Sequence, residues 1–171
     1  PKLEKDMNVE IAIIGGGLAG CEAAWQLASA GFPVTIYEMK PLKYTPAHHY
    51  KGLSELVCSN SLKAMRIDSA AGLLKEEMRR FGSVCLDAAE KSSVAAGGAL
   101  AVDRDIFSSI VTKTVKNHPN ITVKETVVTD IPENQVTVVA TGPLTDGELA
   151  EKIGKLCDGG NLSFYDAAAP I

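Results

Sequence analysis

Six residues, Gly15-Gly16-Gly17-Leu18-Ala19-Gly20, constrain this chain more than any other stretch. They stand between the apolar run Val9-Glu10-Ile11-Ala12-Ile13-Ile14 and a segment in which Ala24, Leu27 and Ala28 recur at helical spacing. Strand, glycine turn and helix therefore follow one another, with Gly15, Gly17 and Gly20 at the turn, close-approach and helix-packing positions of a G-x-G-x-x-G motif. The helix N-terminus adds unpaired N–H donors and partial positive charge, which suit a pyrophosphate. Gly31 is placed to end the helix in a left-handed cap. A second apolar run, Val34-Thr35-Ile36-Tyr37, then ends on Glu38, 18 positions after Gly20. An acid there suits a pair of ribose hydroxyls and repels a 2′-phosphate, which argues against NADP at this site. A glycine-rich turn alone is more often just a tight turn. Strand, helix, second strand and terminal acid in register favour a dinucleotide.

Alternating strand and helix signals continue, which predicts an α/β fold with a mostly parallel sheet. Residues 39–52 carry Pro41, Pro46, Gly52 and the pair His48-His49 and read as a long loop. Residues 54–63 are short and mixed. Residues 70–81 predict an amphipathic helix with Leu73, Leu74 and Met78 on one face and Lys75, Glu76 and Arg79 on the other. Residues 94–102 read as a strand with a glycine bend. Asp103 is placed to cap a helix that runs to about His118 and turns Ile106, Ile110, Val111 and Val115 inward. A strand from Ile121 to Val128, a turn at 131–134, a buried strand over 136–140 and a helix capped by Asp146 complete the pattern. Gly15, Glu38 and Thr141-Gly142 all fall at strand carboxyl ends, where such sheets bind ligands.

The 171 residues are 46% apolar, enough for one domain with a core. Residues 1–8 read as a tag or disordered N-terminus, and 9–171 as that domain. The run 164–171 is apolar and stops without closure, as in the N-terminal part of a longer chain. Net charge is −4, which excludes a globally basic nucleic-acid binder. From Lys40 to Arg80, however, eight basic residues face four acidic ones. That segment suits either a polyanion or a solvated helix face of mixed charge. No run is long enough to span a membrane. The four cysteines, Cys21, Cys58, Cys85 and Cys157, show no metal spacing and read as reduced thiols of a cytoplasmic protein.

Cys58 is the candidate for chemistry. Ser59, Asn60 and Ser61 follow it, and any of them could start a helix whose N-terminus would favour the thiolate, with Lys63 and Arg66 close in sequence. Cys85 and Cys157 read as buried small hydrophobes, and Cys21 as packing against the sheet. His48 and His49 make a poor metal site and better polar contacts in a loop, with substrate contact open to them.

The runs Thr45-Pro46-Ala47-His48-His49, Leu56-Val57-Cys58-Ser59-Asn60-Ser61-Leu62, Gly97-Gly98-Ala99-Leu100-Ala101-Val102-Asp103-Arg104, Ala140-Thr141-Gly142-Pro143-Leu144-Thr145 and Phe164-Tyr165-Asp166-Ala167 closely resemble one family. It is the folate- and FAD-dependent tRNA (uracil-54-C5)-methyltransferase family, TrmFO. One departure is Ala96, where the family pattern leads us to expect proline. The resemblance implies a Rossmann-like FAD-binding domain of the GR2 flavoprotein type, incomplete here. FAD would be held by Gly15, Gly16, Gly17, Leu18, Ala19, Gly20, Glu38, Met39, Lys40, Thr141 and Gly142. It also implies methylenetetrahydrofolate as carbon donor, NAD(P)H as electron source and the tRNA T-loop as acceptor. Cys58 matches the first of two family cysteines, with His48, His49, Asn60 and Lys63 as substrate contacts and no metal. The second cysteine is expected beyond Ile171, so the chain alone is expected to be inactive. Three other readings stand beside this one: a related flavoprotein that modifies the wobble uridine, a flavin-binding module without catalysis, and a plain flavin oxidoreductase.

Overall fold

Ile11-Ala12-Ile13-Ile14 forms β1 (Ile11–Ile14), with every side chain buried, as a central parallel strand requires. The computed structural model describes residues 9–157; the polar start and the apolar run 164–171 lie outside the described residues. The glycine turn leads into α1 (Leu18–Ser29), which buries the small side chains of Cys21, Ala24 and Ala28. Gly31, at φ 93°, closes the helix as its position implied, with the Phe32 N–H on Leu27 O at 3.1 Å. The chain returns as β2 (Val34–Glu38), parallel to β1 from Ile11↔Val34 to Ile14↔Tyr37.

A long excursion follows. It contains β3 (Ser61–Ala64), α2 (Ala70–Arg80), α3 (Val84–Lys91), β4 (Ser93–Val94), β5 (Ala99–Val102) and α4 (Arg104–Lys116). The chain then re-enters the first sheet as β6 (Ile121–Glu125), beside β2, and as β7 (Thr137–Val139), on the far side of β1, before α5 (Gly147–Leu156). The strand order is β6-β2-β1-β7, and every pairing is parallel. Winding reverses between β1 and β7, so their following loops diverge and leave a crevice at their carboxyl ends. A second sheet, β3-β5-β4, is antiparallel. The core joins the two, with Ile13, Ile36, Phe107, Val111 and Val115 among its fully buried side chains.

Several expectations need correction. The bent strand over 94–102 is a hairpin: Gly97 turns at φ 60° and β4 pairs back on β5. β6 stops at Glu125, because its partner β2 ends opposite it at Glu38; the Thr126 N–H then takes Glu38 O at 2.8 Å. Among the described residues β7 ends the sheet, and Val136 and Val139 are exposed rather than buried. On α2 Met78 packs on the core and Arg79 is exposed as expected, but the leucines and Lys75 trade places. Gly72 and Lys75 are buried, and Leu73 and Leu74 are exposed. The Lys75 ammonium donates to Ala64 O and Ala71 O, each at 3.1 Å, which draws that face onto β3. On α4, Phe107 takes the core position expected of Ile106, which is exposed. Asp103 caps α4 as expected, accepting the Asp105 and Ile106 N–H groups. Asp146 sits at the start of α5 without a side-chain cap bond. Helix α3 was not foreseen; Ser83 caps it by accepting the Leu86 N–H.

The glycine turn is the tightest point of the fold. Gly15 has φ 104°, and a Cβ there would stand 2.6 Å from Ala140 O of the strand opposite. A Cβ on Gly20 would stand 1.9 Å from Gly15 O, a backbone atom with no room to move. Gly20→Ala should therefore destabilise the protein by about 3 kcal/mol, the upper range for overpacking, read as a lower midpoint in chemical or thermal unfolding.

Candidate functional site

A cleft of about 330 Å³ opens where β1, β2 and β7 end. Its walls bring together most of the residues singled out in the sequence. Gly15, Gly16, Gly17, Leu18 and Ala19 come from the glycine turn, Glu38, Met39 and Lys40 from the end of β2, Thr141 and Gly142 from beyond β7, and His48 and Cys58 from the excursion. Gly20, His49, Asn60 and Lys63 do not line it. Sequence reasoning missed Thr126 through Thr129, Lys43, Thr45, Glu55 and Thr145, which do. The strand-end rule would have found Thr126, since it follows β6 directly.

The floor of the cleft is a polar junction. Glu38 is buried; its Oε2 accepts the Gly16 N–H at 2.7 Å and its Oε1 the Lys40 N–H at 3.0 Å. Beside it α1 begins without a side-chain cap, so its first-turn N–H donors face the cleft unclaimed by any side chain. A Cβ at Gly17 would meet nothing within 4 Å. The chain thus leaves both donors and space for a ligand at that point.

Lys40 is only 4% exposed and its ammonium is spent on the protein: it donates to Tyr50 O at 3.1 Å, Gly52 O at 2.8 Å and Glu55 Oε2 at 3.1 Å. It therefore clasps the loop that carries His48 and offers the cleft no free charge. Burial alone would push the Glu55 carboxyl up, but the His49 and Tyr50 N–H groups and Lys40 outweigh it and hold it below its ordinary range. At the mouth, Lys43 pairs with Asp146 at 2.8 Å, joining the β2 loop to the start of α5. His48 is half-buried, and its Nδ1 lies 2.6 Å from Thr45 Oγ1. Burial, then the neighbouring Lys40, lower its pKa, so the ring is neutral at pH 7.

Cys58 is exposed on the cleft wall. The helix expected after it is absent; the chain bends and becomes β3. The small polar residues instead pin the bend. The Ser61 N–H donates to Ser59 Oγ at 3.0 Å, Asn60 Nδ2 donates to Val102 O at 3.2 Å, and the Val102 N–H returns to Asn60 O at 2.9 Å. Asn60 is thereby a tether rather than a cleft contact. Leu56, buried upstream, anchors the other side. Cys21 and Cys85 are buried as expected, and burial raises the Cys21 thiol to about 11. Cys157 is exposed, against expectation, because α5 buries only Leu149. Among the described residues no three His, Cys, Asp or Glu side chains gather as for a metal, and no helix is long and apolar enough to cross a membrane. Much of the basic segment pairs internally: Arg66 with Asp68, Arg79 with Glu76 and Glu90, and Arg80 with Glu76.

A family model described as Glucose inhibited division protein A matches residues 10–170. Proteins named methylenetetrahydrofolate–tRNA-(uracil-5-)-methyltransferase TrmFO are similar: that of Citrifermentans bemidjiense is 58% identical and that of Lactobacillus johnsonii 55%, each over 165 residues. Those alignments cover 96% of this chain and 38% of the relative, so the chain spans well under half the length of these proteins. Among solved structures, GidA of Aquifex aeolicus superposes with a TM-score of 0.57 at 19% identity, over 73% of this chain and 21% of that one. The amino acid oxidase NikD gives 0.51 at 14% identity, over 85% and 54%. Both share the α/β fold with its parallel sheet.

Two outcomes follow from the cleft. Gly17→Ala should leave the melting temperature within about 1 °C, since the added methyl meets open space, while lowering the affinity of the cleft for an anionic ligand about tenfold or more by occupying the approach to the N–H donors; calorimetry and ligand titration check the pair. Glu55 is a carboxylate with a depressed folded-state pKa, so its contribution is present above the ordinary value of 4.5 and is lost as pH falls through the lower folded value. Protection of the His49 and Tyr50 amides against hydrogen exchange, relative to the intrinsic rate at each pH, should fall over that acidic window, and Glu55→Gln should lower it at neutral pH as well.

Proposed function

The chain belongs to the Glucose inhibited division protein A family, and from that premise we propose that it forms the flavin-nucleotide-binding part of a methylenetetrahydrofolate-dependent tRNA (uracil-5-)-methyltransferase. The observation that carries this reading is the position of Cys58. Among the described cysteines it alone lines the cleft that the glycine turn builds.

The cleft suits FAD. The uncapped start of α1 and the open space at Gly17 fit a pyrophosphate, and Glu38 at the end of β2 fits a ribose, its two oxygens each having a second lone pair to accept a hydroxyl. Thr141 and Gly142 would close the opposite wall. When bound, FAD would supply the reducing equivalents that turn a transferred methylene into a methyl, replenished by NAD(P)H, with methylenetetrahydrofolate giving the carbon.

The residues of the chain do the rest. Uracil C5 is a weak nucleophile until a thiolate adds at C6, and Cys58 presents a thiol on an exposed, tethered bend. The Lys40 clasp keeps that wall fixed relative to Glu38. The acceptor is uridine in the tRNA T-loop, and the protein works in the cytoplasm. Identities of 55–58% to proteins named TrmFO support this activity.

The test uses the full-length protein, undermethylated tRNA, methylenetetrahydrofolate and reduced nicotinamide. Cys58→Ala should retain flavin absorbance and salt-sensitive tRNA binding while 5-methyluridine formation falls to below about one thousandth, the scale of losing an essential group. Full activity in that variant would remove Cys58 from the mechanism.

A further inference from the structure

The Thr45–His48 pair adds a feature that the dinucleotide motif does not contain. Thr45 Oγ1 already accepts the Ala47 N–H at 3.3 Å and lies 2.6 Å from His48 Nδ1. A hydroxyl carries one proton, and among the described residues this one has no other acceptor. The arrangement that satisfies it within the protein is donation to Nδ1, which leaves a neutral imidazole with its proton on Nε2. Nε2 has no protein partner among the described residues, although His48 is half-buried and lines the cleft. Nε2–H is therefore a donor of fixed direction, open to whatever fills the cleft.

We propose that His48 is a positioning residue whose neutral Nε2–H, fixed by Thr45, donates to a carbonyl oxygen of the bound ring system, flavin or uracil. The inference rests on the function proposed above for the identity of those rings. Four charged or titratable groups act on the imidazole. Burial is the largest influence and, with Lys40 and His49, disfavours the cation; Glu55 and Glu38 favour it. Lys40 is itself held by Tyr50 O, Gly52 O and Glu55, so the balance is built into the clasped loop.

The intact protein, labelled with 15N-histidine and compared with His48→Gln to identify the signal, reports the tautomer directly. At pH 7 the His48 ring should be neutral with Nδ1 bare and Nε2 protonated, and Thr45→Val should convert it to a tautomer mixture. Affinity is then measured in two arms, FAD alone and a T-loop stem–loop RNA. His48→Phe should weaken one of them about five- to tenfold, the scale of one hydrogen bond. His48→Gln, whose amide N–H reaches the Nε2 position, should recover it to within about twofold. The responding arm identifies the ring. An Nδ1–H tautomer or a cation at pH 7, unchanged affinity of His48→Phe in both arms, or a glutamine variant as weak as phenylalanine would each overturn the proposal. Failure of the methyltransferase reading would show separately, as wild-type protein without methyl transfer whose tautomer and FAD arm still behave as described.

Discussion

The carboxylate of Glu38 is the joint on which the site depends. One oxygen holds the Gly16 N–H and the other the Lys40 N–H, so a single buried side chain ties the glycine turn to the chain leaving β2. Lys40 then carries the constraint onward through Tyr50 O, Gly52 O and Glu55 to the loop of His48. The Ser54 N–H closes the circuit on Gly16 O at 2.8 Å. Two buried charges in one network are tolerable because every donor of Lys40 is matched; removing one partner would leave the other uncompensated. An acid expected to recognise a ribose therefore also builds the surface on which a ribose could rest.

The parts of the fold that were legible in the sequence are those in which local chemistry and tertiary packing agree. β1, α1 and β2 follow from apolar runs and glycines that backbone contacts leave no alternative to. Asp103 declares its helix because a cap is a local bond. The failures occur where distant partners decide. Leu73 and Leu74 look like a core face, but the partner strand β3 offers the Ala64 carbonyl, which a lysine ammonium can satisfy and a leucine cannot. The hairpin of β4 and β5 looks like one bent strand because its turn is small and apolar. α3 hides because its cap, Ser83, also answers to Glu22 across a helix interface at 2.7 Å.

The candidate site was legible to a similar degree. Twelve of the sixteen singled-out positions meet in the cleft, since strand ends, glycines and a terminal acid obey a general geometric rule. Asn60 and Lys63 fall outside it because the polar run after Cys58 makes a tethered bend instead of a helix. Side chains whose roles depend on the loop 39–55, such as Thr45 and Glu55, carry no periodic signature at all. Their significance appears once Lys40 is seen to gather that loop.

The long excursion between β2 and β6 has a temporal consequence. Val34 must pair with Ile121, and Ala12 with Thr137. Contacts so distant in sequence form slowly, because a large loop must close before they give any return. On a chain synthesised from its N-terminus, the glycine turn emerges early, while the opposite wall of the cleft follows more than a hundred residues later. Occupation of the cleft by a ligand therefore cannot template the early stages of folding. It can act as a late lock, stabilising the sheet after β7 has docked against β1.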